Sequence, residues 1–90
     1  MPLPRHQAKR DANEAEIIEA LTAVGASVVQ LSQRGVPDLL VGYRGATYLL
    51  EVKTKTGDYT EDQVKFNETW RGQRALVRTP EDALYTIGAL

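Results

Sequence analysis

The stretch Gly35–Lys53, GVPDLLVGYRGATYLLEVK, constrains this chain more than any other. Two apolar runs flank Arg44-Gly45, a dipeptide suited to a tight turn, so the segment predicts a β-hairpin. Its strands run from Asp38 to Tyr43 and from Thr47 to Lys53. In the second strand, Tyr48, Leu50 and Val52 share one face, and Thr47, Leu49, Glu51 and Lys53 share the other. The run TYLL is apolar on both faces, which marks a strand inside a sheet. Antiparallel pairing then brings Asp38 and Glu51 to the same end of the hairpin.

The flanking sequence supplies a small set of further elements. Ile17, Ile18, Leu21 and Val24 recur with the spacing of one buried helical stripe, predicting a helix from about Gln7 to Val24 with Gly25 as its stop. Asp11 or an earlier polar residue would cap it. Ala26 to Leu31 reads as a strand, and Ser32 to Pro37 as a loop. Thr60-Glu61-Asp62-Gln63 is a capping-box pattern, so a helix is expected from there to about Arg71, ended by Gly72. Arg74 to Val77 reads as a short strand. Thr79-Pro80 starts a last helix through Ile87, with proline at its first position. The expectation is one α/β domain over residues 1–90, in the order helix, three strands, helix, strand, helix around a mixed sheet.

Ninety residues make a thin core, and a homodimer would be a ready source of extra burial. The chain has no cysteine, hence no disulfide and no thiolate metal site. Its polar start lacks an apolar stretch of signal-peptide length and no run spans a bilayer, so an intracellular soluble protein is expected. The net charge of −1 lacks the basic surplus of many nucleic-acid binders. Arg5, Lys9 and Arg10 are basic locally. Acids grouped around a divalent cation would reverse the potential where a phosphate docks.

Asp38 and Glu51 could bring two carboxylates together across neighbouring strands. Two hard oxygen ligands, a backbone carbonyl and waters suit Mg2+ or Mn2+ rather than zinc. Lys53 projects from the same face as Glu51, where an ammonium can orient an attacking water or neutralise charge on a phosphoryl oxygen. Glu-x-Lys at a strand end is by itself ordinarily a solvated edge, and Asp after Pro ordinarily starts a turn. The combination with two apolar strands points towards chemistry. Projected backwards, the stripe of the first helix places Glu14 on the apolar side, where a carboxylate needs a partner.

Other side chains carry less. His6 is the sole histidine and is read as inert. Ser27 and Ser32 have no assembled base. Phe66 and Trp70 have helical spacing and read as core residues, with base stacking the minority view. Arg34, Lys55 and Tyr59 are placed along a groove leading to the acids.

The order Gly-x-Pro-Asp (Gly35–Asp38), Glu-Val-Lys (Glu51–Lys53), Lys-Thr-Gly (Lys55–Gly57) and a downstream helix bearing Gln63, behind an acidic first helix, resembles the PD-(D/E)XK nuclease superfamily. Within it the chain looks most like a stand-alone virus-type replication-repair nuclease (VRR-NUC) domain, and is similar to small archaeal-type Holliday junction resolvases. The resemblance covers nearly the whole chain and implies a restriction-endonuclease-like core. It implies that Asp38, Glu51 and the Val52 carbonyl hold Mg2+ or Mn2+, and that Lys53 is the catalytic lysine. Glu14, or Glu16 after a slip of two, would hold a metal-bound water or a second ion. Gln63 would be the polar residue that the second helix presents to the site, against its alternative role as the N3 residue of a capping box. Arg34, Lys55, Tyr59, Lys9 and Arg10 are the expected DNA contacts. The implied activity is that of an endodeoxyribonuclease acting on DNA, branched or otherwise structured, such as a four-way junction. A C2 homodimer would suit such a substrate. DNA repair, a phage or prophage source and the cytoplasm of a bacterial host complete the expectation. Rival readings are a non-cleaving DNA-binding or protein-interaction module and a restriction-type nuclease.

Overall fold

A computed structural model describes residues 10–90 and gives the order α1 (Glu14–Ala23), β1 (Ser27–Gln30), β2 (Leu39–Tyr43), β3 (Ala46–Val52), α2 (Glu61–Thr69), β4 (Arg74–Val77) and α3 (Pro80–Thr86). The strands form one mixed sheet in the order β1-β2-β3-β4, with β3–β4 parallel and the other pairs antiparallel. The helix–three strands–helix–strand–helix order expected from the sequence is therefore present. β3 is interior, as its doubly apolar pattern requires.

The hairpin register pairs Leu39 with Leu50 and Tyr43 with Ala46. Arg44 and Gly45 both take positive φ, closing the turn in the primed geometry that fits strand twist. A parallel β3–β4 pair needs a crossover, and α2 occupies it.

One face of the sheet carries Leu39, Val41, Leu50, Val52 and Val77, packed against Ile17 and Leu21 of α1 and Ala83 and Ile87 at α3. Each large aliphatic side chain buried this way contributes on the order of 1.5–3 kcal/mol. The opposite face carries Leu49 and Glu51, both buried. α2 contributes no buried residue and reaches this second face through Gln63. The helices α1 and α3 thus secure the domain, while α2 brings polar groups to the sheet.

Several expectations need correction. Residues 7–9 of the expected first helix lie outside the described residues, and residues 10–13 are not helical, so α1 starts at Glu14. Asn13 is its N-cap residue, in place of Asp11, but makes no side-chain cap bond. Its amide instead donates to the carbonyls of Lys53 and Arg78. Val24 is 36% exposed and not part of the buried stripe. The helix has already turned at Gly25 (φ +92°), where Gly25 N–H donates to Thr22 O and Ala26 N–H to Leu21 O.

α2 ends at Thr69, and Trp70 is already extended, so Gly72 is not its stop. The indole of Trp70 lies so close to Gly72 that a Cβ there would fall 2.7 Å from an indole carbon. Phe66 and Trp70 are not core residues. They stack on each other at 5.4 Å between centroids, with Trp70 39% exposed.

Candidate active site

Asp38 stands one residue before β2, opposite Glu51 if the hairpin register is continued. Its position is held from three sides. Val52 N–H donates to Asp38 Oδ2 at 2.8 Å, so the carboxylate caps the last rung of the hairpin. Leu31 N–H donates to the Asp38 carbonyl at 2.8 Å, extending the β1–β2 pairing by one residue. Arg10 Nη2 donates to the same carbonyl at 3.3 Å and to that of Leu31 at 3.2 Å.

The preceding loop is shaped by Gly35, whose φ of +83° belongs to the left-handed region. A Cβ at Gly35 would lie 3.3 Å from the Cβ of Asp62, so the loop passes tightly against the first turn of α2. This is the structural demand behind the first glycine of Gly-x-Pro-Asp. Pro37 is buried beside it.

Glu51 is 3% exposed. Its Oε2 accepts from Gln63 Nε2 at 2.9 Å and lies 3.4 Å from Lys53 Nζ. Its Oε1 is buried without a hydrogen-bond partner. Burial, and then the neighbouring charge of Asp38, push the Glu51 carboxyl up to about 8. Asp38 is also raised, chiefly by burial, against the opposing effect of the Val52 N–H bond. Two carboxyls confined together resist double ionisation, so the pair as a whole holds a proton more tightly than either free carboxyl would.

A divalent cation would remove that conflict. The donors present fit a hard ion: two carboxyl groups, one with an unpartnered buried oxygen, and no thiolate. Among the described residues no three His, Cys, Asp or Glu side chains cluster at ligand spacing. Glu14 in particular does not join the pair. It is 2% exposed, and its Oε2 is taken by Arg10 Nε at 2.7 Å and Gln30 Nε2 at 3.0 Å. Its negative charge still reaches Asp38, where it helps to raise the carboxyl. Glu16 is exposed.

Gln63 fills both roles that the sequence leaves open. Its Oε1 accepts from Thr60 N–H at 2.8 Å, completing the capping box, while its Nε2 reaches Glu51. A cavity of about 200 Å³ has Arg10, Arg34, Asp38 and Gln63 among its lining, while Glu51 and Lys53 lie outside that lining. A larger hollow of about 410 Å³, bordered by Tyr48, Trp70 and Arg74, has no carboxylate in its lining.

The expected DNA contacts are dispersed. Arg34 is exposed and pairs with Asp62 at 2.8 Å on the cavity rim. Lys55 is exposed and Tyr59 half-buried in the loop after β3. Arg10 is engaged with Glu14 and two carbonyls, and Lys9 lies outside the described residues, as do Arg5 and His6. Sequence reasoning missed Asn13 and Arg78, whose side chains fasten the chain around Lys53. Their partners are main-chain carbonyls far away in sequence, so no local pattern announces them.

No protein-family profile and no curated protein matches the chain. A solved structure of a VRR_NUC domain does. It superposes with a TM-score of 0.67 at 24% identity, covering 86% of this chain and 96% of the other. The α/β architecture built around the Asp38–Glu51 hairpin is that of a VRR_NUC domain.

Proposed function

We propose that this chain is a divalent-metal-dependent nuclease that hydrolyses phosphodiester bonds of DNA. One observation carries the reading. Asp38 and Glu51 meet at the end of the hairpin with Lys53 on one oxygen of Glu51, leaving the other buried oxygen without a partner. Carboxylates this costly to ionise are found where a cation or a reaction uses them. The VRR_NUC fold supports the same reading, as a fold-level likeness.

Asp38, Glu51 and the Val52 carbonyl would hold Mg2+ or Mn2+. Such an ion supplies Lewis-acid polarisation of the scissile phosphate and a more acidic bound water. Lys53 offsets charge on the phosphoryl oxygens and orients the attacking water. Gln63 holds the Glu51 carboxylate through Oε2, which would leave Oε1 free to help hold the ion. Glu14 serves as the helix acid, acting through water or through Asp38. Arg34, Lys55 and Tyr59 meet the nucleic-acid backbone.

The proposed substrate is branched or structured DNA, cut by a homodimer whose two sites make paired incisions. The proposed setting is the cytoplasm of a bacterial cell, with a phage or prophage origin and a role in DNA repair. Calorimetric titration with Mn2+ tests the site. The wild type is expected to bind and Glu51→Ala to lose binding; equal binding by both would remove the ion from Glu51. Labelled four-way junction, flap, duplex and single-stranded DNA then test the substrate. Preference for branched forms supports the reading, and equal cutting of all four would overturn structure selectivity. Cutting confined to one fixed sequence would favour a restriction-type enzyme.

A further inference from the structure

Behind Lys53 lies a network that neither the carboxylates nor the cavity explains. Arg78 follows β4, and its Nη1 donates to the carbonyls of Thr54 at 2.6 Å, Lys55 at 3.2 Å and Gly57 at 2.7 Å. Its own N–H donates to Asp82 Oδ2 at 2.9 Å, in the first turn of α3. Its carbonyl accepts from Asn13 Nδ2 at 2.8 Å, and the same amide donates to the Lys53 carbonyl at 3.0 Å. One residue thus ties the end of β4 to α1, α3 and the loop that leaves β3.

Three carbonyls of one short loop turned towards a single point repel one another. A fixed positive group at that point is what makes the loop conformation favourable. The loop in turn rests on the catalytic lysine of the proposed reaction. A Cβ at Gly57 would lie 3.5 Å from Lys53 Cδ and 3.6 Å from its Cβ, so the Gly57 backbone runs alongside the Lys53 stem. The Lys53 side chain is 14% exposed and its Nζ sits against Glu51. A free lysine stem samples many rotamers, and the Gly57 backbone beside its Cβ and Cδ restricts them.

We propose that Arg78 is the positioning residue for the Lys53 ammonium: by gathering the Thr54, Lys55 and Gly57 carbonyls it presses the loop onto the lysine stem and directs Nζ to Glu51. The proposal rests on the nuclease reading for its effect on rate, but not for its effect on Lys53 itself.

The test uses Arg78→Gln and Arg78→Lys in the full chain, each first checked for folding by circular dichroism and thermal melting. Lys53 is then read directly through its rate of reductive methylation with 13C-formaldehyde, followed as its own NMR resonance. That rate is expected to rise at least about fivefold in Arg78→Gln, because a released lysine is more accessible. On DNA, kcat is expected to fall roughly 10- to 100-fold with KM nearly unchanged, as misplacement of a reacting group does. Added to Lys53→Ala, Arg78→Gln should cost nothing further. Guanidinium chloride at millimolar concentration should restore part of the rate to Arg78→Gly. An unchanged methylation rate in a folded Arg78→Gln, or an equal loss of kcat in the Lys53→Ala background, would overturn the proposal. Should Arg78→Gln not fold, the methylation rate in Arg78→Lys decides in the same sense. Should the wild type cut no DNA, the nuclease reading fails while the methylation rates still decide the clamp.

Discussion

Gln63 holds Thr60 N–H with its Oε1 and Glu51 with its Nε2, so the residue that starts α2 also fixes a carboxylate of the site. The two bonds can be separated. Gln63→Glu keeps an acceptor for the capping box, where glutamate is a favoured N3 residue, but replaces the donor to Glu51 with a like charge. Helix content is expected to persist while Mn2+ affinity and cleavage fall about 10-fold or more, a loss of the order of one charged hydrogen bond. Gln63→Ala should lose both, adding about 1 kcal/mol of destabilisation from the cap. Titration and melting of the two variants check this.

The Glu51 carboxyl, raised to about 8 by burial and by Asp38, makes the metal-free fold pH-sensitive. A folded-state value above the unfolded one means the folded protein binds the proton more tightly. That stabilisation is complete below about 4.5 and is lost as pH rises through about 8. Melting in EDTA should therefore show Tm falling from pH 5 to pH 8.5. Glu51→Gln, isosteric and uncharged, should flatten the slope and melt higher than the wild type at pH 8.5. Parallel slopes for the two proteins would remove Glu51 as the cause.

Arg10 and Glu14 form an i, i+4 ion pair in which Glu14 is almost fully buried. Arg10→Leu leaves that carboxylate, among the described residues, with Gln30 alone and removes one of the two donors to the Asp38 carbonyl, at an expected cost of about 1–3 kcal/mol. Glu14→Gln should cut activity while leaving the fold intact. Arg10→Leu combined with Glu14→Leu should melt higher than Arg10→Leu alone, since no buried charge is orphaned. Additive losses in that comparison would show that the pair is not coupled.

Much of the fold was legible because its signals are local. The hairpin carries its turn in Arg44-Gly45, α2 its capping box and α3 its Thr-Pro start, and each is found where those signals put it. Glu14 could be placed on the buried side from helical spacing, and Glu51 on the opposite face from Leu50 by strand alternation. What could not be read depends on distant partners. Asn13 looks like any polar residue before a helix, yet its amide bridges the carbonyls that follow β3 and β4 and makes no cap bond to α1. Phe66 and Trp70 have core-like spacing, but α2 buries none of its residues, and the two rings stack on each other with Trp70 against Gly72. Arg10 reads as a basic DNA contact until the Asp38 and Leu31 carbonyls arrive beside it in the fold.

Trp70 is the sole tryptophan, so the Gly72 contact has its own optical probe. Gly72→Ala would place a methyl group within 2.9 Å of indole atoms and must displace the ring. A shifted emission maximum is expected with under about 1 kcal/mol of lost stability, as the ring is partly exposed. Unchanged emission would show that the ring is not against Gly72.

The Asp38–Glu51–Lys53 cluster is proposed to cut DNA with a divalent ion. Its direct measurement is hydrolysis of an end-labelled four-way junction in Mg2+, Mn2+ or EDTA by the wild type, Lys53→Ala and Glu51→Gln. Cutting by the wild type in either metal, none in EDTA, and a loss of about 100-fold or more in both variants is the predicted result. Cutting that persists in EDTA, or in Lys53→Ala at the wild-type rate, would rule out this cluster as a metal-dependent nuclease site. So would a folded, Mn2+-loaded wild type that leaves every DNA intact.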